Sequence, residues 1–161
     1  MKKQNHKYVG SIILGINDAL IELTGALAGL TLILQNTKLI AIASFITGLA
    51  ASMSMAASEY FETKSENTNK NPKTAAIYTG IAYIFTVLIL ILPFIVLNQP
   101  YFALTWTVLN AIIIIYLFTH HISKDKTFKY KITFTEMLLI SLGIATLTFF
   151  IGFIIKTYLE I

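Results

Sequence analysis

The chain has 161 residues, 56% of them hydrophobic and 12% charged. Ordinary soluble domains carry about 25% charged residues, so this composition cannot clothe a water-facing surface, and it excludes a soluble enzyme. The net charge of +4 comes from twelve lysines and no arginine; lysine supplies point charge without the bidentate fork used on phosphates and bases, which argues against a nucleic-acid partner. With no cysteine, disulfides, thiolate metal ligands and cysteine nucleophiles are excluded as well.

In chain order, Lys2, Lys3 and Lys7 precede an apolar run, as in a signal peptide, and Ala26-Leu27-Ala28 mimics a small-x-small cleavage site. Asp18 and Glu22 inside that run argue against cleavage. A bilayer crossing needs about 20 mostly apolar residues. Five runs meet that length, at about 8–34, 39–62, 75–97, 101–119 and 134–158. Gln35-Asn36-Thr37-Lys38 forms a polar turn after the first, and Asn98-Gln99-Pro100 closes the third. Pro93 sits late in the third span, where a kink is tolerable if the freed carbonyl finds a partner.

The expected fold is an all-α integral membrane protein with five transmembrane helices, a single transmembrane domain over 1–161. Cytoplasmic loops collect lysine. Lys2, Lys3, Lys7, Lys64, Lys70, Lys73, Lys124, Lys126, Lys129 and Lys131 fall on one side, Lys38 and Lys156 on the other. The N-terminus is therefore expected inside and the C-terminus outside. Five spans cannot be divided into an internal inverted repeat, but two copies could form a symmetric ten-helix homodimer.

The spans differ in polarity. The third, fourth and fifth are Ile/Leu/Phe/Thr fabric, whereas the first carries Asn17, Asp18 and Glu22 near its middle. At 1.5 Å rise per residue, Asp18 lies about 15 Å from Tyr8, close to the midplane. A charged side chain there costs about 3 kcal/mol on the lenient insertion scale. Asp18 and Glu22 are four apart and share a helical face. No intramembrane basic residue is available to neutralise them, which leaves a cation or a proton as counter-charge. The competing reading is a protonated, hydrogen-bonded pair at a helix contact. In the second span, Met55, Glu59, Glu62 and Glu66 fall on one stripe. Carboxylates attract divalent cations, and a thioether adds preference for softer transition metals. The plainer alternative is a solvated helix end with Met55 as packing. Gly25 and Gly29 form a GxxxG that lets backbones approach closely, either at a dimer seam or within one chain.

The stretch Gly15-Ile16-Asn17-Asp18-Ala19-Leu20-Ile21-Glu22-Leu23-Thr24-Gly25-Ala26-Leu27-Ala28-Gly29, with Ser54-Met55-Ala56-Ala57-Ser58-Glu59-Tyr60, resembles the vacuolar iron transporter family, which includes the yeast Ccc1-type transporters. The resemblance covers about forty residues of the first two spans. It implies a five-span homodimer in the bilayer that exports Fe²⁺, often Mn²⁺, from the cytosol by proton exchange, with no prosthetic group. By position it implies Asp18 and Met55 as central ligands, Glu22 as matching the prokaryotic version, and Glu59 at the cytoplasmic end. Only residues 67–73 stand where plant and yeast members insert a glutamate-rich domain, so Glu62 and Glu66 are the local substitute. Ala19 and Ser58 replace glycines more common in the family. The short form resembles prokaryotic or nodulin-like members, implying a prokaryotic plasma membrane.

Three other classes share some of these features. A passive divalent-cation channel would use the same carboxylates without coupling to a pH gradient. A structural or partner-binding membrane subunit would pair them with basic residues of another chain. An intramembrane metalloenzyme would want a ligand set such as HExxH, which is absent. His120-His121 reads as interfacial, and His6 is uninformative.

Overall fold

The computed structural model describes residues 6–66, 69–122 and 130–159. A short 3-10 turn, His6–Tyr8, leads into five helices: α1 (Val9–Leu34), α2 (Thr37–Ser65), α3 (Pro72–Val96), α4 (Pro100–Ile122) and α5 (Tyr130–Leu159). All five are long and apolar enough to cross a membrane.

Local chemistry sets the helix ends. Gln35 takes a left-handed conformation, φ 48°, which stops α1. Asn36 then caps α2, its side chain accepting from the backbone N–H groups of Lys38 and Leu39. Asn71 caps α3 in the same way, with Pro72 in the first turn, where the missing N–H costs nothing. The helices run past the apolar stretches: α2 continues to Ser65, α3 begins at Pro72, and α4 continues to Ile122. Caps stop a helix, whereas hydropathy marks only its lipid-buried part. The 29 residues of α2 span about 43 Å against a hydrocarbon core of about 30 Å, so one end projects into the headgroup zone.

Pro93 lies inside α3 and deprives the Ile89 carbonyl of its helical donor. Asn110 of α4 supplies the replacement, its Nδ2 donating to Ile89 O at 3.4 Å, and Thr107 Oγ1 donates to the adjacent Leu90 O at 2.8 Å. The freed carbonyl is thus tied to the neighbouring helix. Many remaining threonines, Thr24, Thr31 and Thr119 among them, satisfy their hydroxyls on the carbonyl four residues back, so they cross apolar surroundings without orphaned donors.

The helices pair closely. Gly48 of α2 faces Val87 of α3, Gly80 of α3 faces Ala56 of α2, and Ser52 Oγ donates to Gly80 O at 2.9 Å. Along α1, Gly25 and Gly29 lie against Thr148 of α5, and Gly152 lies against Gly29. Leu20, Leu23, Leu27, Tyr83, Val87 and Phe94 fill the space between these pairs. Isoleucine and phenylalanine side chains such as Ile81, Phe85, Ile95 and Phe153 are exposed, as expected where the surroundings are acyl chains rather than water.

Candidate functional site

One stripe of α1 organises the polar residues. Ser11, Gly15, Asp18, Glu22, Gly25 and Gly29 are spaced alternately four and three apart, which keeps them on one face. At one end of the stripe Ser11 O accepts from Thr79 Oγ1 at 3.0 Å, and Gly15 lies directly on the α3 backbone at Thr79 and Tyr83. At the other end Gly25 and Gly29 press on α5, where Thr148 Oγ1 donates to Gly25 O at 2.7 Å. The small-residue motif is therefore taken up by packing within the chain.

Between these two contacts the stripe is open. Asp18 is half-buried and Glu22 is exposed. The Tyr83 hydroxyl donates to Glu22 Oε2 at 2.7 Å. Tyr83 is fully buried at 0% exposure, so its ring is fixed and its hydroxyl aims at the carboxylate from a rigid base. Spacing places Asp18 and Glu22 together; Tyr83, inside the third span's apolar fabric, is brought to them only by the fold. Its signal was a phenol in the middle of an apolar helix, where the hydroxyl must find a partner.

The second cluster lies at the C-terminal end of α2. Glu59 is 6% exposed. Ser11 Oγ donates to its Oε1 at 2.6 Å, and Thr63 Oγ1 donates to the same oxygen at 3.5 Å. A pocket of about 250 Å³ beside it is lined by Gly10, Leu14, Glu59, Glu62, Thr63, Glu66 and Lys70. The three glutamates of the stripe thus share one cavity, but not one environment: Glu62 and Glu66 are exposed, Glu59 is buried. Ser11 and Lys70 are additions that α2's own periodicity cannot reveal, because they lie on other parts of the chain, whereas Thr63, four residues from Glu59, shares its face of α2.

The Ser11–Glu59 bond fixes the antiparallel register of α1 and α2. Counting from it, Met55 falls at the level of Gly15, Ser52 at Asp18 and Gly48 at Glu22. Met55 is half-buried against the core. It stands about 4 to 5 Å along the axis from Asp18 and about 6 Å from Glu59, between the two carboxylate groups. Among the described residues, no three His, Cys, Asp or Glu side chains converge closely enough to hold a metal, so one chain alone offers partial ligand sets.

The remaining singled-out residues lie elsewhere. His120 is exposed and stacks on Tyr116; the side chains of His121 and His6 lie outside the described residues, as do Lys2, Lys3, Lys124, Lys126 and Lys129. Lys156 Nζ donates to Leu32 O at 3.2 Å, placing a cation on the C-terminal end of α1, where the helix dipole favours it.

Five apolar helices, with carboxylates concentrated on the first two, make a multi-pass membrane protein. Residues 9–71, which comprise α1, α2 and the turn that follows, match the VIT family, so the resemblance to vacuolar iron transporters holds over the two helices that carry it. No curated protein matches the chain.

Proposed function

We propose that the chain is a homodimeric exporter of divalent transition metal, Fe²⁺ and Mn²⁺ foremost, that exchanges metal for protons across a prokaryotic plasma membrane, with its N-terminus inside and its C-terminus outside. The observation that carries this reading is Glu22, a carboxylate near the middle of an apolar helix yet exposed on its own chain. Lipid adds no donor to the Tyr83 hydroxyl it already accepts from, and leaving it charged there costs about 3 kcal/mol. A second copy contributing its own Asp18 and Glu22 would surround one axis with four carboxylates, completing a site that one chain lacks.

Metal is drawn to the mouth by Glu62 and Glu66, passes Glu59 and the Met55 thioether, and reaches Asp18 and Glu22. Exchange follows from the same cost: once metal leaves, the carboxylates refill with protons rather than stay charged in the bilayer. The test is fluorescence-detected uptake of Fe²⁺, Mn²⁺, Co²⁺ and Zn²⁺ into proteoliposomes, with and without a pH gradient. Coupled flux that Asp18→Asn and Met55→Ala each abolish supports the reading. Wild-type flux in either variant overturns the site, and flux indifferent to the gradient makes the protein a channel.

A further inference from the structure

On the side of α1 away from the carboxylates, two apolar grooves run side by side. The larger, about 630 Å³, lies between α1, α3 and α4, with Ile13, Ile16, Ile89 and Phe118 among its walls. The smaller, about 230 Å³, lies between α1 and α3 and includes Tyr78 and Ala82. They share Ile12, Ile16 and Phe85, which form the ridge dividing them. From Tyr8 to Ile16 is about 12 Å, against about 15 Å for half the hydrocarbon core, so the ridge and the smaller groove lie within one leaflet, while the larger groove continues to Ile89.

The end of this pair near the N-terminus is built for a polar head. The Tyr8 ring stacks on Tyr78 with centroids 5.4 Å apart. The Tyr8 hydroxyl accepts from the Asn71 backbone N–H at 3.1 Å, which ties the turn to the cap of α3. Lys7 Nζ lies 5.9 Å from the Tyr8 ring centroid. Tyrosine rings favour the headgroup level, and a lysine there attracts anionic lipid.

We propose that the paired grooves hold one anionic phospholipid, its two acyl chains on either side of the Ile12–Ile16–Phe85 ridge and its phosphate at Lys7. Position and charge favour lipid over a second copy of the chain. At about 100° per residue, Ile12 and Ile16 point about 120° away from Asp18 and Glu22 around α1, so copies that meet over Glu22 leave these grooves facing the bilayer. The proposal rests on the membrane-spanning reading but not on transport, so the two fail separately.

The test is native mass spectrometry of the purified full chain in mild detergent, titrated with 1-palmitoyl-2-oleoyl phosphatidylglycerol or the matching phosphatidylcholine. Wild type should retain one phosphatidylglycerol per chain. Lys7→Gln should lower the preference for phosphatidylglycerol about fivefold, as expected for one lysine at the surface. Ile16→Trp, which fills both grooves, should lose both lipids, while Phe153→Trp on the exposed face of α5 should retain them. Retention at wild-type level in both Lys7→Gln and Ile16→Trp overturns the proposal, as does equal loss in Phe153→Trp. A lipid-free wild type whose Ile12→Cys variant cross-links into dimers would give the grooves to a second copy instead; the chain has no other cysteine to confuse that result.

Discussion

Tyr83→Phe deletes one oxygen from a ring with no exposure, so packing volume is kept and the change isolates the 2.7 Å bond to Glu22. A hydrogen bond to a charged group contributes about 1.5–3 kcal/mol, and a buried hydroxyl stripped of its partner costs about 1–3 kcal/mol. The two facts predict a dependence on background. In the wild type, Tyr83→Phe should destabilise the protein by roughly 1–2 kcal/mol, the charge-assisted value reduced because Glu22 is open on its far side. In a Glu22→Ala background the same change should be neutral or stabilising, because it now removes an orphaned hydroxyl. The double-mutant cycle, read by denaturant or thermal unfolding of the detergent-solubilised chain, should give a coupling of at least about 1 kcal/mol, well outside the 0.3–0.5 kcal/mol scatter of independent sites. Additive effects would refute the bond as an energetic link between α1 and α3.

Gly15→Ala should cost about 1–3 kcal/mol by overpacking, since the new methyl meets the Thr79 carbonyl and the Tyr83 backbone nitrogen, neither of which can rotate aside. Gly10→Ala, with nothing within 4 Å, should unfold at the wild-type temperature or slightly above; equal losses in the two variants would deny the close approach at Gly15. Glu62→Gln combined with Glu66→Gln should raise the metal concentration for half-maximal uptake while leaving the maximal rate nearly unchanged. An unchanged concentration dependence would mark the pocket beside Glu59 as ordinary surface.

Spans and periodic stripes were legible because each is a property of one helix. Asp18 with Glu22, and Glu59 with Glu62 and Glu66, follow from 3.6-residue spacing alone. Contacts between helices were not legible. Nothing in α2 announces that Glu59 takes its hydrogen bond from Ser11, 48 positions earlier, or that Asn110 repairs the carbonyl freed by Pro93. GxxxG could not say which neighbour it serves, because close approach is equally useful within and between chains; Thr148 and Gly152 on α5 answer that for Gly25 and Gly29. Tyr83 is hidden in the sequence because a tyrosine counts as apolar in a hydropathy sum, although its hydroxyl donates to Glu22, the more exposed acid of α1.

The glycine contacts divide the molecule mechanically. α2 and α3 are clasped through Gly48 and Gly80, and α1 and α5 through Gly25, Gly29 and Gly152. Between the two pairs run the Gly15 contact with α3, the Thr79–Ser11, Ser11–Glu59 and Tyr83–Glu22 bonds, and a shared apolar core. Two of those bonds, Ser11–Glu59 and Tyr83–Glu22, end on a carboxylate. Whatever binds or releases those carboxylates therefore also acts on the contacts between helices, so occupancy and packing are linked without any dedicated moving part.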